Sequence, residues 1–298
     1  MAKRILLFLA TNILIMVAIS VVVTVLGMFF PGLRHGGLSG LLAMSLIWGM
    51  VGSFVSLQLS RWMAKMSLGV QVVDGATGHA DLDWLHGTVE RLSREAGLPM
   101  PEVGFYESDE VNAFATGPSK SRSLVAVSTG IFRTMDRAEI EGVIGHELSH
   151  IANGDMVTMA LIQGVVNAFV MFFARVIGWA AAQALSGRDR DDRGPSASEW
   201  MIQMVVTMVM QVVLGILASL VTSWFSRRRE FRADAGGARL AGRAKMIAAL
   251  RKLQNVHEAL DPRAGELATL KISGKSWLSA FSTHPPLEVR IEALERGA

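Results

Sequence analysis

Residues 201–226 read MIQMVVTMVMQVVLGILASLVTSWFS, twenty-six positions without a single Asp, Glu, Lys or Arg. About 20 apolar residues cross the hydrocarbon core of a bilayer as a helix, so this stretch predicts a membrane span. Working outward, residues 5–30 and 36–60 are equally free of charge, and Met156 to Ala174 forms a fourth apolar block that resumes after Arg175 and runs to Leu185. Arg175 must snorkel, face the bundle or pair. The composition agrees with the blocks: 298 residues, 51% apolar, with a mean hydropathy of +0.37. A chain this apolar does not fit a soluble domain. Zero cysteines exclude a disulfide framework, a thiolate nucleophile, a Cys-ligated metal and an iron–sulfur cluster. A net charge of +3 is too mild to indicate nucleic acid as a partner.

The first block follows Lys3 and Arg4, as a signal peptide would. Twenty-six uncharged residues exceed the apolar region of roughly 7 to 15 in such peptides, and Phe29-Phe30-Pro31-Gly32 is a poor cleavage site. The expected layout is therefore four spans, at 5–30, 36–60, 156–185 and 200–226, with a polar loop at 186–199. A water-facing domain would be assembled from residues 61–155 and 227–298. Four spans place both termini on one side. Lys3, Arg4, Arg61, Lys65 and Arg227-Arg228-Arg229 share that side against Arg34 in the first opposite loop, which makes it cytoplasmic. Arg188, Arg190 and Arg193 in the second opposite loop count the other way.

In the first half, Leu82, Leu85, Val89 and Leu92 recur at helical spacing before Gly97-Leu98-Pro99, a helix and its stop. Val103 to Tyr106, Asn112 to Ala115 and Leu124 to Ser128 are strand-like pieces of a small sheet. Asp136-Arg137-Ala138-Glu139 is a capping box opening a helix with apolar Ile140, Val143, Ile144, Leu148 and Ile151, ended by Gly154. After the last span, Glu230 to Leu253 reads as helix, and a final helix begins near Leu287. The fold class is α+β: a mostly helical integral membrane protein with about four spans, and a domain with a small β-sheet.

Inside the capped helix stands His146-Glu147-Leu148-Ser149-His150. Positions i and i+4 share a helix face, so both imidazoles can reach one metal ion, with Glu147 beside them. Neutral imidazoles suit Zn²⁺, and an open coordination position suits catalysis. Such an ion brings the pKa of a water to about 7, and Glu147 then acts as general base. Asp136, Arg137, Glu139 and Glu141 put this helix in water, not in a span, which counts against an intramembrane protease. A third ligand must come from the remaining His, Asp and Glu residues. Glu230 and Asp234, four apart after the last span, offer a His₂Glu site and an acceptor that fixes an imidazole tautomer. The same spacing, with Arg229 and Arg232, also describes an ordinary solvated helix face, and spacing alone favours that plainer reading.

The run His146 to Asp155, with Arg229-Glu230-Phe231-Arg232-Ala233-Asp234 and Ser282-Thr283-His284-Pro285-Pro286, resembles the HtpX-type membrane zinc endopeptidases of family M48, relatives of the Ste24 prenyl-protein proteases. Order and spacing match across nearly the whole chain; position 232 is Arg where related sequences carry His. The resemblance implies a cytosolic gluzincin-type zinc protease domain that degrades damaged or misfolded membrane proteins, in envelope quality control at a bacterial inner membrane. It implies one Zn²⁺ per chain on His146, His150 and Glu230, Glu147 as base, and Asp234 behind a ligand. It also points to Asn112, Ala113 and Phe114 as a strand beside the cleft, to which a substrate can add; an ordinary edge strand is the alternative. His284, kept off a helix by two prolines, would stabilise the oxyanion with help from Arg290, unless the pair is only a surface His and a salt-bridging Arg. Nine Lys or Arg between Arg227 and Lys252 form a solvated face attracted to anionic lipid headgroups. The remaining readings are a prenyl-protein-processing protease and a non-catalytic membrane adaptor stabilised by zinc.

Overall fold

A computed structural model of the chain describes residues 37–185, 197–260 and 282–297, with 257–260 by backbone alone. The span expected at 5–30, and most of the loop expected at 186–199, lie outside the described residues. In chain order the elements are helix α1 (Gly37–Leu68), strand β1 (Gln71–Val73), helix α2 (Ala80–Glu95), strands β2 (Glu102–Tyr106), β3 (Ala113–Ser119) and β4 (Arg122–Ser128), and helix α3 (Thr129–Thr134). Helices α4 (Arg137–Asn153), α5 (Asp155–Leu185), α6 (Ala197–Leu240), α7 (Arg243–Leu260) and α8 (Leu287–Glu295) follow. They form two compact units. Among the described residues, one comprises Leu57–Met159 and those from Ser223 onward; the other comprises Gly37–Ser56 and Ala160–Thr222.

In the first unit the sheet order is β1-β2-β4-β3, with β2 and β4 parallel and the outer pairings antiparallel. Side chains alternate across the pleat. Val103, Val125, Val127, Ala113 and Ala115 share a core with Leu85, Val89 and Leu92 of α2 and Ile140, Ile144 and Leu148 of α4. Tyr106, Leu124, Ala126 and Phe114 face the other way, over Val70 and Ala64. Leu85, Leu124, Ile144 and Leu148 are fully buried, each contributing about 1.5–3 kcal/mol relative to exposure. This core anchors α4. Asp136 accepts from the Glu139 N–H at 2.8 Å while Glu139 accepts from the Asp136 N–H at 2.9 Å, closing the expected capping box. Gly154 ends the helix in the left-handed conformation, φ 68°.

In the second unit the helices meet through small residues. A Cβ on Gly49 would collide with the backbone of Gly164 and Ala168, and one on Gly178 with the Thr207 hydroxyl, the close approach that membrane helices use. Among the described residues three helices are long and apolar enough to cross a membrane: α1, α5 and α6. On α6, Trp200 and Trp224 are both exposed.

Three differences from expectation have physical reasons. The helix expected to stop at 60 continues to Leu68, because Arg61 and Lys65 find Glu102 at 3.3 and 2.6 Å. The helix expected over 230–253 is two helices: α6 runs unbroken from the apolar stretch to Leu240, and the chain turns at Gly242, φ 102°, before α7. The sheet gains β1, too short to show alternation, and β3 continues past Gly117 and Pro118, which an edge strand with a register shift between Thr116 and Ser119 accommodates.

Candidate metal centre

α4 presents His146 and His150 on one face, their rings 4.7 Å apart and nearly perpendicular, with the two Nε2 atoms 3.1 Å from each other. Glu230 of α6 faces the pair: its Oε2 is 3.5 Å from His146 Nε2 and its Oε1 is 3.5 Å from His150 Nε2. The three ligand-type atoms lie within 4.8 Å of one another. Glu230 is fully buried, and the His146 and His150 side chains are only 10% and 12% exposed.

The outer nitrogens decide what this pocket can hold. His150 Nδ1 lies 2.7 Å from Asp155 Oδ2. His146 Nδ1 lies 2.9 Å from Asp234 Oδ1, an ion-pair contact bent off the hydrogen-bond axis. A carboxylate only accepts, so a neutral ring keeps its proton on Nδ1, towards the carboxylate, and leaves the Nε2 lone pair facing inward. Two lone pairs and a carboxylate then face one small space, where they repel unless a cation lies among them. Glu230 Oε1 is buried with no hydrogen-bond partner. The donor set, two imidazoles and one carboxylate, suits a divalent transition metal. The same demand for positive charge shows in His146: burial works against its protonation, but Asp234 and Glu230 win and carry its pKa up to about 9.

Close packing brings Glu230 and Asp234 to α4. On Gly236 a Cβ would sit 2.5 Å from the Ser149 hydroxyl, and on Gly237 it would sit 2.9 Å from the His146 backbone nitrogen. The end of α6 therefore lies directly on the turn that bears the histidines. Ser149 keeps its hydroxyl internal, donating to the Gly145 carbonyl at 2.7 Å.

Around this centre the other sequence candidates take distinct places. Glu147 is half-buried and makes no hydrogen bond or ion pair with any described residue, though its charge acts on His146 and Arg290. Its carboxylate is available beside the pocket. His284 reaches in from the loop before α8, its Nδ1 2.9 Å from Glu230 Oε2, with 61% of its side chain exposed. Arg290 is buried and forks onto Asp234, donating from Nε at 2.8 Å and from its terminal nitrogen at 2.6 Å. Burial opposes its charge, but Asp234 raises its pKa further. The same terminal nitrogen lies 3.7 Å from Glu230 Oε2, so Arg290 pairs with both buried carboxylates of α6. β3 is an outer strand of the sheet and packs against α4. Ala113 faces the core shared with α4, whereas Phe114 turns to the opposite face, 5.9 Å from the Tyr106 ring. Asn112 precedes the strand, and its backbone N–H and carbonyl are held by Ser128 at 3.0 and 2.8 Å.

Reading the sequence missed three contributors: Asp155 as the partner of His150, the Gly236-Gly237 contact, and the Arg290–Asp234 pair. Asp155 stood inside the quoted motif, directly after the glycine predicted to end the helix, a placement that returns its side chain towards the preceding turn. The other two depend on contacts between residues 56 or more positions apart, or between helices, for which spacing carries no signal.

Residues 79–298 match peptidase family M48. The chain is 49% identical over 296 residues to protease HtpX of Yersinia enterocolitica, covering 99% of this chain and 98% of that one. It is also 49% identical over 306 residues to a protease HtpX homolog of Bacillus licheniformis, covering 99% of both. Among solved structures, Ste24p of S. mikatae aligns with a TM-score of 0.66 over 99% of this chain and 67% of its own, at 16% identity, a likeness of fold.

Proposed function

The chain belongs to peptidase family M48, and on that premise we propose that this membrane metalloprotease of the HtpX type holds one zinc ion on His146, His150 and Glu230 and hydrolyses misfolded or damaged membrane proteins. The active site would lie at the cytoplasmic face of a bacterial inner membrane, with Glu147 as general base. The observation that carries this reading is the pocket of inward-facing acceptors, Nε2 to Nε2 at 3.1 Å and Glu230 Oε1 without a hydrogen-bond partner, beside an uncommitted Glu147.

A bound zinc supplies Lewis acidity to a water and to the scissile carbonyl. Glu147 takes the proton that the attacking water loses and passes it to the leaving nitrogen, a role worth about 10²–10⁴ in rate for a positioned base. Asp234 and Asp155 hold the imidazoles with Nε2 inward. His284, whose ring is still largely exposed, is placed to donate to oxygen charge developing on the substrate, and Arg290 keeps Asp234 ionised. The open edge of β3 gives an extended substrate a strand to pair with at Ala113 and Phe114, alongside α4. Arg228 stacks over Trp224 at 4.3 Å, an amphipathic pair suited to anionic lipid headgroups where α6 leaves the membrane.

The test compares wild type and Glu147→Gln in detergent, each loaded with one equivalent of zinc and offered an unfolded membrane-protein substrate. Glu147→Gln keeps one zinc per chain and loses about 10²–10⁴ in turnover. Equal cleavage by both proteins removes Glu147 from the chemistry. Cleavage by neither supports the adaptor reading.

A further inference from the structure

The connection between α4 and α5 suggests a role for the residue that follows the glycine stop. α4 ends with Gly154 at φ 68° and ψ 30°, and nothing lies within 4 Å of where a Cβ would stand there, so glycine is needed for the backbone conformation and not for space. The turn is so tight that α5 begins at the next residue. The first side chain of α5, Asp155, is thereby folded back onto the last turn of α4, where Oδ2 meets His150 Nδ1 at 2.7 Å. Asp155 is 1% exposed. Its other oxygen forms an ion pair at 3.7 Å with the Arg232 guanidinium, on a side chain 65% exposed.

We propose that Asp155 is a positioning residue for the metal centre: it fixes the Nδ1–H tautomer of His150, orients the ring and raises the basicity of the inward Nε2. Asp234 does the same for His146 from α6. Each histidine of the motif thus has its own buried carboxylate, and these come from two different long helices, α5 and α6. The plainer role for Asp155 is to favour the start of α5, since an acid in the first turn stabilises a helix through its dipole. The two roles separate by reach. A serine can cap a helix but is too short to meet Nδ1, whereas an asparagine offers an acceptor of the same length without the charge.

The inference rests on His150 being a ligand, as proposed above, so the experiment includes that residue. Zinc affinity is measured by chelator competition on the full chain in detergent for wild type, Asp155→Ala, Asp155→Ser, Asp155→Asn and His150→Ala, with the helical circular dichroism of each metal-free protein alongside. The expected result is a loss of about 10–100-fold in affinity for the alanine and serine variants, a smaller loss for asparagine, unchanged helicity, and no stoichiometric zinc on His150→Ala. Wild-type affinity in Asp155→Ser overturns the inference and leaves the site intact. Stoichiometric zinc on His150→Ala overturns the ligand set itself. Should the Asp155 variants fail to fold, the ¹⁵N-histidine spectrum of zinc-loaded wild type decides: a proton on Nδ1 of His150 with zinc at Nε2 supports the inference, and zinc at Nδ1 overturns it.

Discussion

Within the single helix α6, two stretches invert each other's rules. From Trp200 to Leu217 the exposed side chains are apolar: Val205 is 50% exposed, Met208 60%, Val212 64% and Leu217 54%. From Glu230 to Gly237 the buried ones are charged or small: Glu230 and Asp234 are 0% and 1% exposed, packed beside Ala233, Gly236 and Gly237. In water both stretches would be unfavourable. The first is explained by a lipid solvent, where exposed valine is at no disadvantage. The second is explained by Arg290, His146 and His150, which return to the carboxylates the interactions that burial removes. One continuous helix therefore crosses from a region governed by apolar contact with solvent to one governed by internal charge pairing.

The largest effect is expected where that pairing is broken. Arg290→Met leaves Asp234 buried with only the bent contact to His146, and removing one member of a buried ion pair typically costs about 3–5 kcal/mol. Denaturant unfolding of the chelator-treated protein measures it. Arg290→Met with Asp234→Leu should recover most of the loss, because replacing both partners with apolar groups leaves no orphaned charge. A double variant as unstable as the single one would mean that the pair acts through packing and not through charge.

Next in size is a contrast between two exposed valines. Val72 on β1 is 51% exposed and Val212 on α6 is 64% exposed, so by accessibility alone they are equivalent. Val212→Arg should reduce membrane integration by about 3 kcal/mol, the insertion penalty of a mid-span arginine. Val72→Arg should stay within about 0.5 kcal/mol, as surface changes do. The fraction of chain resisting alkaline extraction, with the unfolding of the unit that holds the sheet, reads the two. Equal and small effects would remove the lipid-facing assignment of 201–217.

How much of this was legible in the sequence follows the same division. The apolar stretch could be read directly, because a span is a local property of some twenty residues, and so could the capping box at Asp136 and the stop at Gly154. The histidine pair was legible because i and i+4 share a face. Glu230 and Asp234 were not distinguishable by spacing from a solvated face flanked by Arg229 and Arg232; only the family resemblance singled them out. Their burial depends on α6 continuing unbroken through position 227, where three consecutive arginines suggested a boundary, and on contact with α4, an element far earlier in the chain. Arg290 was read either as a helper of His284 or as a salt-bridging Arg; its carboxylate partner, Asp234, could not be named, since a sequence shows a cation but not which carboxylate it meets.

The smallest expected effect sharpens how the two stretches are joined. Gly237 lets α6 lie on α4 with no side chain between them; a methyl there would stand 2.9 Å from the His146 nitrogen and 3.1 Å from its Cα. These are backbone atoms in a capped helix with a buried core behind it, so the methyl must move α6 and not the neighbour. Gly237→Ala should cost about 1–3 kcal/mol by overpacking, and the shift should fall on Glu230 and Asp234, two turns and one turn back along α6. Zinc affinity should then decline more than stability does, while Gly215→Ala, in the apolar stretch with nothing within 4 Å of its Cβ position, should leave both unchanged. If Gly237→Ala lowers stability but holds zinc as tightly as wild type, the carboxylates are positioned by Arg290 and the histidines alone, and the glycine contact only packs the helices.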